Sequence, residues 1–135
     1  MMDLETKIID YLSANVTGLK GIYLFGSRAD GSAGPDSDID IAVITEFSNR
    51  LNPVDLFDHK INLSGQLGIP VDLIDLQNAQ TDLRFVIIST ANRIYCADPY
   101  FCDFFEMTAI SMYQNLEEER KEIIEAVKKR GKIYG

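Results

Sequence analysis

The residues with the clearest chemical potential lie in one segment, which begins with Gly26-Ser27 and ends with Asp38-Ile39-Asp40. Ten residues separate Ser27 from Asp38. Backbone N–H groups where a strand gives way to a turn, together with a serine hydroxyl, are suited to phosphate oxygens. Arg28 adds a guanidinium that can hold a phosphate through two hydrogen bonds. The segment therefore joins a candidate phosphate-binding turn to two carboxylates.

Asp38 and Asp40 are spaced to act together. Because side chains alternate across a strand, these two leave the same face with backbones about 7 Å apart, while Ile39 and Ile41 enter the opposite, buried face. Paired carboxylates suit Mg²⁺, which takes few protein oxygens and completes its shell with water and substrate phosphate. A bare Asp-x-Asp is more often a solvated strand edge, but the Gly-Ser pair upstream favours the functional interpretation.

The sequence excludes two other motifs that bind phosphate or metal ions. A Walker P-loop needs Gly-Lys-Ser/Thr, and no lysine occurs between Lys20 and Lys60. An EF-hand starting at Asp36 would need glycine in place of Ile41 and glutamate in place of Phe47.

The histidine and cysteine content excludes further site classes. His59 is the only histidine, so a histidine pair is ruled out, and its place on a polar helix face predicts a solvated residue. Cys96 and Cys102 are too few for a disulfide framework and lack the paired ligands of a structural zinc site. We interpret them as buried or idle thiols.

Hydrophobic periodicity predicts the elements that position these residues. Helices are predicted over 3–15, 53–67 and 82–90, and strands over 22–25, 38–44, 71–76 and 93–96. Apolar residues at i+3 and i+4 steps predict a long C-terminal helix over 100–131 with Gly131 as its cap. The predicted fold class is α/β (α+β), with a small mixed sheet of about four strands flanked by helices in one domain spanning 1–135.

Charge and hydropathy exclude two kinds of partner. The 135 residues carry 13 Lys and Arg against 21 Asp and Glu, a net charge of −8, whereas nucleic-acid affinity depends on basic side chains that displace counterions. No stretch reaches the roughly 18 apolar residues of a membrane span, and two acids precede the first apolar run. We expect a cytoplasmic protein that binds cations or a basic protein.

Gly26-Ser27, Asp38-x-Asp40 and the later Val71-Asp72-Leu73-Ile74 together resemble the nucleotidyltransferase superfamily related to DNA polymerase β, specifically its minimal nucleotidyltransferase (MNT) group. The resemblance covers about 22–98, is weak over 84–95, and implies the polymerase β-like fold. MNT proteins similar to this one are the antitoxins of HEPN/MNT toxin–antitoxin pairs. They adenylylate a tyrosine of the HEPN toxin, an RNase.

The resemblance also implies roles for individual residues. Asp38 and Asp40 would hold two Mg²⁺ ions, and Asp72 would be the third ligand and receive the acceptor proton. Strand alternation alone leaves a choice between Asp72 and Asp75, which face opposite ways. The nucleotide-binding set expected from the resemblance is Gly26, Ser27, Arg28, Ser37 and Arg84. For Arg84, an ordinary surface position is an open alternative.

The function implied by the resemblance is Mg²⁺-dependent transfer of AMP from ATP to a toxin tyrosine. The chain would form a hetero-oligomer with its HEPN toxin and make no direct nucleic-acid contact. Two alternatives stay open, namely an antitoxin that neutralises by binding alone and a nucleotidyltransferase acting on a small hydroxylated molecule. The C-terminal helix can equally be a charged, solvated exterior or a surface that docks a partner.

Overall fold

The structure, a computed structural model, describes residues 3–31, 34 and 37–134, without the side chains of Arg28, Asp30 and residues 132–134. The helices are α1 (Leu4–Asn15), α2 (Ser27–Asp30), α3 (Pro53–Leu67), α4 (Thr81–Thr90) and α5 (Pro99–Tyr134). The strands are β1 (Leu19–Phe25), β2 (Ile39–Thr45), β3 (Val71–Asp75) and β4 (Asn92–Cys96). Short 3₁₀ turns span Phe47–Asn49 and Leu76–Asn78.

The strands form one mixed sheet in the order β3-β2-β1-β4. β2 and β3 are parallel, whereas β1 is antiparallel to both β2 and β4. A parallel pair needs a long crossover connection, and α3 supplies it between β2 and β3. The predicted four-stranded mixed sheet flanked by helices is confirmed.

Each face of the sheet packs against different helices. On one face, α1 and α3 cover a cluster that includes Ile22, Ile39, Ile41, Leu63 and Leu73. On the other, α4 and α5 cover a smaller cluster that includes Tyr23, Ala42, Ile44, Ile87 and Phe105. Because Ile39 and Ile41 belong to the first face, alternation places Asp40 on the second, in line with Ala42.

Local capping explains why α3 begins and ends where the sequence predicts. The Asn52 side chain accepts a hydrogen bond from the Asp55 backbone N–H at 2.8 Å, and Pro53 occupies the first turn, where its missing N–H costs nothing. Gly68 ends the helix with a left-handed φ of 69°, which glycine adopts without steric strain.

Several predicted boundaries differ from the structure, most of them by one residue. β1 starts at Leu19 rather than at 22, since Gly21 is accommodated inside the strand opposite Cys96. β2 starts at Ile39, so Asp38 precedes the strand. α5 continues through Gly131 to Tyr134 instead of ending there, because glycine inside a helix costs only about 1 kcal/mol and does not by itself terminate it.

Two contacts with α4 anchor α5. The rings of Phe85 and Tyr113 stack with centroids 3.8 Å apart, and Arg120 donates to both carboxylate oxygens of Asp82 at 3.1 and 2.9 Å. Beyond Arg120, every described side chain up to Gly131 is exposed. The last 14 residues of α5 therefore extend roughly 20 Å from the packed domain. No helix in the described part of the chain is long and apolar enough to cross a membrane.

Two positions on α3 test which face of this helix packs against the sheet. Leu63 is fully buried, whereas Ile61 is 52% exposed. We expect Leu63→Ala to lower the free energy of unfolding by about 2–5 kcal/mol through the cavity that it leaves. Ile61→Ala should change the same quantity by no more than about 0.5 kcal/mol. Urea unfolding of both variants measures the difference, and equal effects would show that α3 packs through another face.

Candidate active site

The register between β2 and β3 brings two of the three predicted carboxylates together. Asp40 on β2 lies directly opposite Asp72 on β3, so their side chains leave the same face of adjacent parallel strands. Asp38 precedes Asp40 by two residues and is exposed, as is Asp72. Asp40 and Asp72 thus lie side by side near the start of these two strands, and the charge of Asp38 acts on Asp40 from just before β2.

The surroundings of Asp40 shift the pKa of its carboxyl group. Partial burial raises the pKa of the Asp40 carboxyl above its ordinary value of 3.8, and the charges of Asp72 and then Asp38 raise it further. Like charges at close range favour the protonated form of one partner. The site therefore holds negative charge that a cation or a proton would offset.

Gly26 closes the site from the β1 side. Phe25, the last residue of β1, pairs with Asp40, so Gly26 lies directly beside that carboxylate. Its φ of 68° and ψ of −147° fall in a region that is essentially restricted to glycine. A Cβ at this position would collide with Oδ2 of Asp40 and lie 3.2 Å from its Cγ. The glycine predicted to bind phosphate is thus also needed to make room for Asp40.

The loop between Gly26 and Asp40 is described only in part. Ser27 is the first residue of α2, next to Gly26. The Ser37 hydroxyl accepts a hydrogen bond from the Gly34 N–H at 2.8 Å. The predicted contact of the Arg28 guanidinium with phosphate falls outside the described residues. Nucleotide binding by Ser27 and Ser37 stays a prediction.

The structure does not bring Arg84 to the carboxylates. Its guanidinium donates hydrogen bonds to the carbonyls of Leu76, Gln77 and Ala79 at 2.9, 2.8 and 3.2 Å. These contacts hold the 3₁₀ turn that follows β3. Asp72 lies near the start of that strand, four residues before Leu76, a separation of about 13 Å along an extended chain. Arg84 therefore supports the far end of β3.

Asp75 also has a structural role. Its buried side chain accepts hydrogen bonds from the Gln77 N–H at 3.1 Å and from the Asn78 amide at 2.8 Å. Burial raises its pKa, although these bonds and the nearby arginines oppose the shift. Strand alternation alone did not decide whether Asp72 or Asp75 joins Asp40. In the structure, only Asp72 is exposed beside Asp40.

Sequence reasoning missed a hydrogen-bond network that joins the sheet to α5. The Tyr23 hydroxyl donates to Glu106 at 3.0 Å, and Arg93 donates to Glu106 and Asp103 at 2.6 and 2.9 Å. Tyr23 is two residues before Phe25 on the site's face of the sheet. The sequence did contain a signal for this network. Asp103 and Glu106 are three residues apart among the aromatic residues that begin α5, so they share a helix face that can meet a basic strand residue such as Arg93.

His59 does not match the prediction of a solvated side chain. It is half-buried between α1 and α3, shares a hydrogen bond of 3.0 Å with the Tyr11 hydroxyl, and makes an edge-to-face contact with that ring. The partner lies 48 residues away in sequence, so helix periodicity alone could not reveal it.

The donor set fits a cation that shares its ligands with a substrate. In the described part of the chain, no three His, Cys, Asp or Glu side chains are arranged as a ready-made metal cage. Mg²⁺ commonly binds through one or two carboxylates and takes its other ligands from water and phosphate. Such an ion would offset the like charges that raise the pKa of Asp40, so Asp40 and Asp72, with Asp38 beside them, would suit Mg²⁺ completed by substrate phosphate.

The close approach of Gly26 to Asp40 generates one prediction. Gly26→Ala should cost on the order of 1–3 kcal/mol of stability from backbone strain, and should also displace the Asp40 carboxylate. Gly68→Ala is the control, because Gly68 has a φ of 69° with no atom within 4 Å of the added Cβ. Urea unfolding gives the stability, and carbon NMR of aspartate side chains reports Asp40. An unchanged Asp40 signal in Gly26→Ala would contradict the contact.

The raised pKa of Asp40 leads to a prediction about how the stability of the fold depends on pH. Since folded Asp40 binds a proton more readily than the unfolded chain does, stability falls as the pH rises from 3.8 through the raised pKa. Asp40→Asn removes this cost, so in metal-free buffer the variant should be more stable than the wild type at neutral pH. The advantage should shrink as the pH falls through the raised pKa towards 3.8, and should be absent at lower pH.

Urea unfolding at a series of pH values measures this effect. Asp10→Asn, on the exposed side of α1, is the control for loss of an aspartate outside the site. A wild type that is more stable than Asp40→Asn at neutral pH would show that Asp40 is not under electrostatic strain.

Comparison with known proteins agrees with this geometry. Residues 6–100 match the family described as polymerase beta nucleotidyltransferase. The protein adenylyltransferase MntA of Shewanella oneidensis is 36% identical over 123 residues, which cover 91% of this chain and 86% of that protein. This level of similarity extends well beyond the acidic motif.

Solved structures of toxin–antitoxin complexes are also similar. A crystal structure of a toxin–antitoxin with AMP-PNP contains a chain 35% identical to this one, with a TM-score of 0.82 over 93% of this chain and 98% of that chain. A structure of tri-AMPylated Shewanella oneidensis HEPN toxin with MNT antitoxin gives 34% identity and a TM-score of 0.75, over 91% and 94% of the two chains. The family suggested by the Gly-Ser and Asp-x-Asp motifs is thereby confirmed, and the chain belongs to the polymerase β nucleotidyltransferase family.

Proposed function

We propose that this chain is an antitoxin that transfers AMP from ATP to a tyrosine hydroxyl of a cognate HEPN toxin in a Mg²⁺-dependent reaction. The observation that carries the proposal is the in-register pair Asp40 and Asp72, with Asp38 beside them and Gly26 at their edge. The 36% identity to a protein adenylyltransferase supports the same reaction.

The partner follows from the relatives. Among the similar structures, one holds an ATP analogue and another a HEPN toxin that carries three AMP groups. The chain matches almost the full length of both relatives, so the same assembly is the simplest proposal here. The toxin would supply the acceptor tyrosine.

The chain's own residues have distinct tasks in this reaction. Asp38, Asp40 and Asp72 would hold Mg²⁺, which supplies charge neutralisation at the triphosphate. Gly26 and Ser27 would bind phosphate oxygens through backbone N–H groups and the hydroxyl. Asp72, the exposed carboxylate on the outer strand, would accept the proton of the incoming tyrosine.

The bonds change at the α-phosphorus. The tyrosine oxygen forms a bond to this atom as the bond to the departing pyrophosphate breaks in line with it. The tyrosine proton passes to Asp72. Catalysis then consists mainly of positioning and charge stabilisation, which agrees with a site built from carboxylates and a glycine turn.

Transfer of label tests the proposal. With α-³²P-ATP, Mg²⁺ and purified cognate toxin, the wild type should label the toxin. Asp40→Asn and Asp72→Asn should each lower the rate by roughly 100-fold or more, since each removes a carboxylate that would hold the charge-neutralising Mg²⁺. Asp58→Asn is the control, because Asp58 is an exposed aspartate on α3. EDTA should abolish labelling by the wild type.

Two results would overturn the proposal. One is labelling that survives in the double variant Asp38→Asn, Asp40→Asn. The other is labelling that is equally fast in the presence of EDTA and of Mg²⁺. Replacement of the acceptor tyrosine in the toxin should remove the label while leaving the two proteins bound.

A second function, neutralisation by binding alone, is favoured by one observation. The exposed end of α5 carries Ile123, Ile124 and Val127, which are 54–63% exposed. Apolar residues on an extended helix are typical of protein-docking surfaces. In this case the double variant Asp38→Asn, Asp40→Asn would still protect cells from the toxin, whereas the catalytic proposal requires protection to be lost at equal protein levels.

A further inference from the structure

The two cysteines of the chain lie in contact, away from the carboxylates. Cys96 ends β4 and Cys102 lies in the first turns of α5, and their Sγ atoms are 2.9 Å apart. Both are free thiols. A disulfide bond requires a separation of roughly 2.05 Å, so the sulfurs are within about 1 Å of bonding distance.

The surrounding backbone holds the thiols in this position. Cys96 pairs with Gly21 across β4 and β1, and a Cβ on Gly21 would lie 3.2 Å from Sγ of Cys102. The Lys20 carbonyl accepts hydrogen bonds from the Ala97 N–H at 2.8 Å and from the Cys102 thiol at 3.3 Å. Strand and helix are therefore fixed to the same backbone group, and the sulfurs cannot easily separate.

The first turn of α5 is fixed as well. The Asp98 side chain accepts hydrogen bonds from the backbone N–H groups of Tyr100 and Phe101 at 3.1 and 3.3 Å. The Asp98 carbonyl accepts the N–H of Cys102 at 3.0 Å. Cys102 thus lies on a capped helix start, which holds its backbone in place next to the end of β4.

The two thiols differ in their access to solvent. Cys102 is fully buried, and burial, followed by the contact with Cys96, raises its pKa to about 12. Cys96 is only partly buried. A reagent from solvent therefore reaches Cys96 first, and Cys102 lies directly behind it as the resolving thiol.

We propose that Cys96 and Cys102 form an oxidisable dithiol site that reacts with small disulfides such as glutathione disulfide and closes to an intramolecular disulfide. The Cys96 sulfur attacks the reagent and releases one glutathione, giving a mixed disulfide. The Cys102 sulfur then attacks Sγ of Cys96 and releases the second glutathione. Both cysteine protons end on the glutathione sulfurs, so two thiols are oxidised and one disulfide is reduced.

The dithiol site lies at the start of α5, away from the carboxylates of the candidate active site. Gly21, opposite Cys96, is four residues from Phe25, which pairs with Asp40, a separation of about 13 Å along the strand. The bond would join β4 covalently to the helix that bears the exposed Tyr100 and Phe104. The proposal is independent of the nucleotidyl transfer.

Equilibration of the full chain with glutathione disulfide tests the site. The wild type should lose both titratable thiols and two hydrogen atoms of intact mass. Cleavage before Asp98 with endoproteinase Asp-N should leave the peptides of Cys96 and Cys102 linked until dithiothreitol is added. The oxidised protein should melt at a higher temperature than the reduced protein, since the bond restricts the unfolded chain.

Cys96→Ser is the matched control, because it keeps the buried Cys102 and changes only the partly exposed position. It should show no linked peptides and no change in melting temperature on oxidation. The proposal is overturned if the wild type keeps both thiols in glutathione disulfide, if it stops at a glutathione adduct on Cys96, or if the linked peptides come from two different chains.

Discussion

Electrostatic repulsion between carboxylates that the backbone register holds side by side is the constraint on which this structure depends. Asp40 and Asp72 occupy paired positions on parallel strands, and Asp38 adds a third charge. Folding alone does not favour such an arrangement, because burial and like charges both oppose ionisation of Asp40. The register must therefore be imposed by interactions elsewhere.

The buried face of the same strands supplies those interactions. Ile39 and Ile41 alternate with the acids and are fully buried against α1 and α3. A shift of β2 by one residue would move Ile39 and Ile41 out of this cluster and turn Asp40 into it. Hydrophobic burial worth about 1.5–3 kcal/mol for each large side chain therefore outweighs the repulsion on the opposite face.

The features that the sequence predicted are those with local causes. The bounds of α3 follow from Asn52, Pro53 and Gly68. Strand alternation explains why Asp40 faces away from the buried Ile39 and Ile41. What the sequence did not predict depends on contacts or backbone angles that the pattern of a single helix does not reveal. Arg84 is held by carbonyls of the turn after β3, and His59 is bound by a tyrosine 48 residues away. Gly131 lacks the left-handed φ of a cap and continues the helix.

The sheet order also determines from which side an acceptor can approach. β3 is an outer strand in the described sheet, whereas β2 lies between two neighbours. Asp72 is accordingly exposed, while Asp40 is partly covered by β1 and Gly26. A nucleotide bound along the Gly26 turn would thus contact Asp40 from the β1 side. A hydroxyl from another protein would approach from the opposite side, past Asp72. The division between an inner carboxylate and an outer one follows from strand order, and it gives the proposed proton acceptor the open side of the site.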